Sequence, residues 1–384
     1  MDEMHGTTRE GEAQAMLERL RPWVECESPT YDAAAVNRMM DLAAADLQAL
    51  GARVKRIAGE GGFGDSIHGD IPHPKEGEEP GILVLGHLDT VHPLGTLEEL
   101  PFRIEGDRAY GPGILDMKGG CRIAMEAVAR LREADVATPL PVSFLFTSDE
   151  EVGSPSTRRL IEETARRHRY VLVPEPAHEG GVITGRYAIA RFHLHAQGRS
   201  SHAGMALGAG RSAIRIMADM VRRVEELTTE DCTFSVGVIA GGRWVNCVPR
   251  GCRAEVLTMA KRQEDLDHAA DALEALAFSS ADGSFRVERS VVRPVWKEGA
   301  GTMEIYGVAR AAAAGLGLAL PHGSAGGGSD GNLTSAAGIA TLDGLGVDGE
   351  GYHTIRECVR ISSLPERRSL MEALCARLGA AASS

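Results

Sequence analysis

Aromatic side chains are scarce in this chain, only 4% of its 384 residues, and no stretch of about 18 consecutive apolar residues occurs. The second absence excludes a membrane-spanning helix. The first leaves Ala and Gly to fill much of the core. Cysteine is sparse and irregular: positions 26, 121, 232, 247, 252, 358 and 375 are an odd set without repeating spacing. A disulfide framework is therefore not expected, and the thiols read as reduced packing groups in a cytosol. Cys247 and Cys252 lack the second matching pair that a thiolate zinc site needs. Positive charge is also in deficit. With a formal net charge of -13, the chain lacks the clustered Lys and Arg that phosphate contacts require, which argues against a nucleic-acid partner. The opening Met1-Asp2-Glu3-Met4-His5 is acidic rather than apolar, so no secretory leader is expected and the protein is expected to be cytoplasmic.

The length exceeds the usual size of a single core, which points to two domains. Helical periodicity covers Glu12 to Leu20 and again Ala33 to Leu50, ending at Gly51. Short apolar runs then alternate with helices: Ile82 to Leu85, a helix from Gly119 to Leu131, Val142 to Phe146, a helix from Ser156 to Arg167, and Tyr170 to Val173. That alternation predicts an α/β domain whose mixed, mainly parallel sheet is covered by helices. From Gly185 the texture changes. Ala188 to Ala196 alternates as a half-buried strand, Ala213 to Leu227 and Glu264 to Ala277 read as helices, and Thr233 to Ile239 and Ala254 to Met259 as strands. The β-α-β-β-α-β order predicts a ferredoxin-like α+β domain over 185–296, inserted into a discontinuous first domain of 1–184 and 297–384. After Pro294 the first domain resumes with a helix near Thr302 to Ala314, a glycine-rich loop, a short strand, and a helix from Pro365 to Leu378.

The chemistry-bearing residues sit at the ends of the predicted strands, where open α/β sheets build their sites. In order they are Gly86-His87-Leu88-Asp89-Thr90, Leu115-Asp116-Met117-Lys118, Asp149-Glu150-Glu151, Val173-Pro174-Glu175-Pro176 and Gly351-Tyr352-His353. Singly, each has an ordinary structural explanation: a hydrogen-bonded His, a turn Asp, an acidic helix start. Together, two imidazoles and several carboxylates form an inventory suited to two zinc-like ions. Metal-assisted amide hydrolysis needs a Lewis acid on the carbonyl, a water acidified by coordination and a carboxylate to take its proton. His87, Asp116 and Glu175 can surround one ion, and Glu151 with His353 the other if Asp116 bridges. Glu150 is then free to face the water, and Asp89 can accept the imidazole N–H of His87. In the inserted domain, Ser201-His202-Ala203-Gly204 can deliver a donor to the oxyanion, and Arg293 can grip a substrate carboxylate bidentately. Gly326-Gly327-Gly328-Ser329-Asp330-Gly331 lacks the Lys-Ser or Lys-Thr of a phosphate loop and reads as backbone approaching substrate.

These motifs, with Asn246-Cys247-Val248-Pro249, resemble the M20 family of metallopeptidases, which includes glutamate carboxypeptidase, aminoacylases and several dipeptidases. The likeness runs from the first helix to the last. It implies a zinc-exopeptidase-like catalytic domain and two zinc ions held by His87, Asp116, Glu151, Glu175 and His353, with Asp116 bridging; manganese or cobalt also suit such donors. It implies further that Asp89 orients His87, that Glu150 is the general base and later the acid, and that the peptide bond after Asp116 is cis. His202 and Asn246 resemble lid residues that reach a partner subunit's site, which implies a homodimer formed through the inserted domain. Arg293-Pro294 resembles the carboxylate-binding arginine of the glutamate carboxypeptidase branch. One departure stands out: Leu257-Thr258-Met259 replaces the Asp-x-Arg common in the family.

The leading expectation is thus a dinuclear hydrolase cleaving the amide of a small substrate with a free carboxylate, in the manner of a glutamate carboxypeptidase. An N-acyl-amino-acid deacylase, a dipeptidase or another small-amide or amine hydrolase keeps the chemistry and changes the pocket, a choice that Met259 keeps open. A non-catalytic binding homologue is the reading from a different class, and the completeness of the ligand set speaks against it.

Overall fold

Short apolar runs such as residues 82–85, 144–146 and 170–173 favour fully buried strands, and the computed structural model, which describes residues 2–380, places them at the centre of its main sheet. The strand order is Arg53–Ile57, Ser66–Asp70, Val142–Thr147, Gly81–His87, His168–Leu172 and Ala340–Leu342. Gly81–His87 pairs in parallel with both of its neighbours, and Ala340–Leu342 runs parallel to His168–Leu172, while the first two strands complete the sheet in antiparallel fashion. Every residue of Gly81–His87 is buried. Its side chains divide by the period of two: Ile82 and Val84 join the core beneath helices Ala33–Ala49, Gly119–Glu133 and Ser363–Arg377, whereas Leu83 and Leu85 pack with Ile161, Ala165 and Leu333 on the other face.

The chain divides into two compact units: one takes the chain up to Gly185, Lys297–Ala325 and the chain from Ser329 onward; the other takes Arg186–Trp296 with Gly326–Gly328. The second unit is an antiparallel sheet in the order Cys232–Gly241, Gly251–Ala260, Ala188–Gln197, Gly283–Arg293, Phe278–Ser280. Strand Ala188–Gln197 alternates strictly, and Ala188, Ala190, Phe192, Leu194 and Ala196 meet Met217, Val224, Leu266 and Leu273 of helices Ala213–Glu225 and Gln263–Glu274. One helix follows the first strand and one the third, so the order is the expected β-α-β-β-α-β with one short extra strand, Phe278–Ser280, hairpinned onto Gly283–Arg293 at the sheet edge.

Differences from the sequence reading concern weakly patterned segments. The first helix extends over Asp2–Glu25, through Pro22. Strand Arg53–Ile57 went unpredicted because it lies at the sheet edge with Arg53, Lys55 and Arg56 exposed, the usual polar protection of an edge. Strand Gly283–Arg293 carries Arg286, Glu288 and Arg289 facing outward and has a register irregularity between Arg289 and Val292, which breaks its alternation.

Candidate metal centre

The carboxyl ends of three parallel strands, Gly81–His87, Val142–Thr147 and His168–Leu172, lead directly into His87, Glu150–Glu151 and Glu175. Asp116 joins them from an irregular turn. Gly113 enters it in the left-handed region (φ 69°), where a Cβ would meet Thr90 Cγ2 at 2.6 Å, and Asp116 itself leaves helical geometry (φ −115°, ψ 97°). The Asp116–Met117 peptide bond is cis. His353 arrives last, on the loop between strands Gly349–Glu350 and Cys358–Arg360, also with positive φ (57°).

All five residues expected to hold metal converge. His87 Nε2 lies 3.2 Å from Asp116 Oδ1 and 3.6 Å from Glu175 Oε1, and His353 Nε2 lies 3.2 Å from both Asp116 Oδ2 and Glu151 Oε2. Asp116 thus presents one oxygen to each imidazole. Glu150 Oε2 stands 3.9 Å from His87 Nε2, on the Glu175 side, so the adjacent glutamates face different halves of the site. Two sets of donor atoms, one from His87, Glu150 and Glu175 and one from His87, Asp116 and Glu151, each fall within 4.8 Å of one another.

The electrostatics suit cations. Burial and then the charge of Asp116 push the Glu151 carboxyl up to about 8. The same two causes raise Glu175 well above the ordinary range. Burial also opposes ionisation of Asp116, but hydrogen bonds from His353 and His87 outweigh it and hold its carboxyl well below the usual range. Burial works against a charged His87, and hydrogen bonds to Asp116 and Asp89 overcome it, raising the imidazole well above its usual value. His353, bonded to Asp116 and then Glu151, is pushed up to about 11. Crowded oxygen and nitrogen donors of this kind, buried except for the half-exposed His353, fit hard or borderline divalent ions.

Asp89 holds the site differently from the sequence expectation. His87 Nδ1 is nearest the Asp89 backbone carbonyl, at 3.0 Å, with the carboxylate Oδ1 at 3.5 Å. The fully buried carboxylate accepts the Thr30 hydroxyl at 2.8 Å and the backbone N–H groups of Glu150 and Glu151 at 3.2 and 3.3 Å. Sequence reasoning missed Thr30, whose hydroxyl acts across a long sequence separation. It also missed Asp330, which accepts the hydroxyls of Thr147 (3.2 Å) and Ser154 on either side of the Glu150 turn, and Glu357, whose carboxylate accepts the backbone N–H groups of Gly113, Leu115 and Asp116.

In the second unit, His202 and Asn246 lie on neighbouring segments: His202 bridges Cys247 and the Ala203 N–H donates to the Asn246 carbonyl at 2.9 Å. His202 Nδ1 accepts from the N–H groups of Gly204 and Met205 (3.2 and 3.1 Å), which leaves Nε2 as the donor nitrogen. Arg293 is buried, and a Cβ on Gly328 would meet its Cδ at 3.0 Å. The glycine-rich loop thus admits arginine side chains: Gly327 and Gly328 carbonyls also accept from Arg186. Met259 stands opposite Thr233 and Ile189 in the sheet. All seven cysteines are free, Cys247 being the exposed one.

Fold and donor set together define a metal-dependent hydrolase of amide bonds. The chain belongs to Peptidase family M20/M25/M40, which it matches over residues 83–377. It is 33% identical over 381 residues to Carboxypeptidase G2 of Pseudomonas sp. (strain RS-16), covering 96% of this chain and 90% of that one. Among solved structures, a tripeptidase from Staphylococcus aureus superposes with a TM-score of 0.72 at 22% identity, covering 95% of this chain and 98% of its own. Human carnosine dipeptidase 1 does so with a TM-score of 0.76 at 14% identity, covering 96% and 98%. These two likenesses are likenesses of fold.

Proposed function

We propose that the protein is an exopeptidase of the glutamate carboxypeptidase type, using two zinc ions per subunit to cleave the amide of a small substrate with a free carboxylate. His87, Asp116 and Glu175 would hold one ion, and Asp116, Glu151 and His353 the other. Bound there, such ions polarise the scissile carbonyl and acidify a water. Glu150 takes the proton of the attacking water and later delivers it to the departing amine nitrogen. Asp89 keeps His87 in the tautomer that points Nε2 at the donor cluster and fixes the Glu150–Glu151 turn. His202 offers its Nε2–H to the oxyanion, Asn246 steadies the substrate beside it, and Arg293 takes the substrate carboxylate. A homodimer formed through the domain at 185–296, acting on peptide-like amides in the cytoplasm and binding no nucleic acid, completes the proposal.

One observation carries it: His353 meets Asp116 and Glu151 at 3.2 Å although the three come from distant parts of the sequence. The likeness to Carboxypeptidase G2 supports the choice of branch. The test is a panel of folyl-glutamates, N-acetyl amino acids and dipeptides assayed on protein loaded with zinc, manganese or cobalt. Turnover of substrates with a C-terminal glutamate is expected to lead. Activity confined to acyl amino acids would favour a deacylase, the reading that Met259, in place of the family's arginine, supports.

A further inference from the structure

Glu357 is almost fully buried, and both of its carboxylate oxygens are saturated. Oε1 accepts the backbone N–H groups of Leu115 (2.8 Å) and Asp116 (3.0 Å); Oε2 accepts that of Gly113 (3.0 Å) and lies 2.6 Å from His92 Nε2. The Gly113–Asp116 segment needs such an acceptor, because its departure from helical geometry strips these N–H groups of regular partners. The same residue closes the loop that carries His353. The Thr354 N–H donates to the Gly351 carbonyl (3.1 Å), the Glu357 N–H donates to the Thr354 carbonyl (3.2 Å), and the Gly111 N–H returns to the Glu357 carbonyl (3.3 Å). One end of this turn bears a half-exposed imidazole, and the other is pinned to the backbone of Asp116.

We infer that Glu357 is a positioning residue that sets the spacing between Asp116 and His353, and so decides whether the cation shared by Asp116, Glu151 and His353 is held. This rests on the two-cation reading above. The partner cation should be less sensitive, because His87 belongs to a central strand and holds Asp116 Oδ1 without the loop. Gln at 357 keeps the shape but turns one arm into a donor. Whichever way the amide faces, it confronts at least one backbone N–H, since Gly113 lies on one side and Leu115 and Asp116 on the other.

The test is a competitive zinc titration of chelator-stripped wild type and Glu357→Gln against a chromophoric chelator, with cobalt absorption spectra of each and the unfolding midpoint of the metal-free forms. Wild type should take two ions. E357Q should bind the second about 10- to 100-fold more weakly, the usual range for losing an outer partner of a metal ligand, with the first altered less than about threefold. If E357Q does not fold, Glu357→Asp, which keeps the charge but is one methylene shorter, carries the same comparison. Two ions bound with wild-type affinity by the variant would overturn the inference alone. So would equal weakening of both ions alongside a lower metal-free midpoint, because that is what general destabilisation does. Wild type binding a single ion would remove the two-cation reading and this inference with it.

Discussion

His353 Nε2 lies 3.2 Å from Asp116 Oδ2, within ion-pair distance. The pair holds the imidazole proton: hydrogen bonds first to Asp116 and then to Glu151 push His353 up to about 11. Burial and then the Asp116 charge push Glu151 up to about 8, so the pair of His353 and Glu151 holds its protons well above the ordinary carboxylate range. A metal ion needs a neutral imidazole nitrogen and an ionised carboxylate, so loading must expel both protons. The sign follows. The metal-free form binds more protons than the loaded form, so apparent metal affinity rises as pH is raised from about 6 towards 8 and beyond. Calorimetric titrations of stripped protein at pH 7 in buffers of different ionisation enthalpy should show release of at least about one proton per ion. Heats independent of the buffer would contradict this.

Glu150 stands among donor atoms without being needed to complete either of the proposed ligand sets. Its Oε2 is 3.9 Å from His87 Nε2. Replacing it with Gln preserves size while removing the base. Turnover is expected to fall by about a hundredfold or more, with two ions still bound by elemental analysis. Loss of an ion in Glu150→Gln would instead make Glu150 a ligand.

The Asp89 carboxylate ties three groups together: the Thr30 hydroxyl and the N–H groups of Glu150 and Glu151. In Asp89→Asn one arm becomes a donor facing donors, so the Glu150 turn should loosen and metal affinity fall about 10- to 100-fold. Thr30→Val removes a single partner of that carboxylate and should cost about 1 kcal/mol of stability, with a smaller effect on metal. Chelator competition and denaturant unfolding on the two variants separate these outcomes. Equal metal affinity in Asp89→Asn and wild type would leave the backbone carbonyl of residue 89, which survives the substitution, as the support that matters.

The cluster of imidazole and carboxylate donors was legible in the sequence because its side chains are rare types placed where apolar strands end, and strand ends in a parallel sheet face one way. His87, Glu151 and Glu175 declared themselves by that rule. The residues that orient them did not. Thr30, Asp330 and Glu357 act through hydrogen bonds to groups far along the chain, and nothing in local periodicity marks a hydroxyl or a carboxylate for such a task. Asp89 itself uses its backbone carbonyl for the imidazole and its side chain for the next turn, a division that spacing alone does not reveal. The missed strand Gly283–Arg293 has a similar cause: its outward Arg and Glu side chains hide a period of two that only its pairing with Ala188–Gln197 exposes.

Gly120 makes the dependence of the site on close backbone packing testable. It lies in the first turn of helix Gly119–Glu133, and a Cβ there would meet the Pro174 carbonyl oxygen at 1.8 Å and its carbon at 2.9 Å, one residue before Glu175. Backbone cannot swing aside as a flexible side chain can, so Gly120→Ala must displace either the helix or the segment bearing Glu175. A loss of about 1–3 kcal/mol is expected, as for overpacking in other cores, together with weaker binding of the ion assigned to His87, Asp116 and Glu175. Gly307 supplies the opposite case. It sits inside helix Ala300–Gly315 with nothing within 4 Å of a Cβ, so Gly307→Ala should gain about 0.5–1 kcal/mol through helix propensity alone and leave metal affinity unchanged. Denaturant unfolding of the stripped proteins and zinc competition on the same samples read both effects. If Gly120→Ala proved as stable as wild type and bound zinc equally well, the contact between this helix and Pro174 would have no part in placing Glu175.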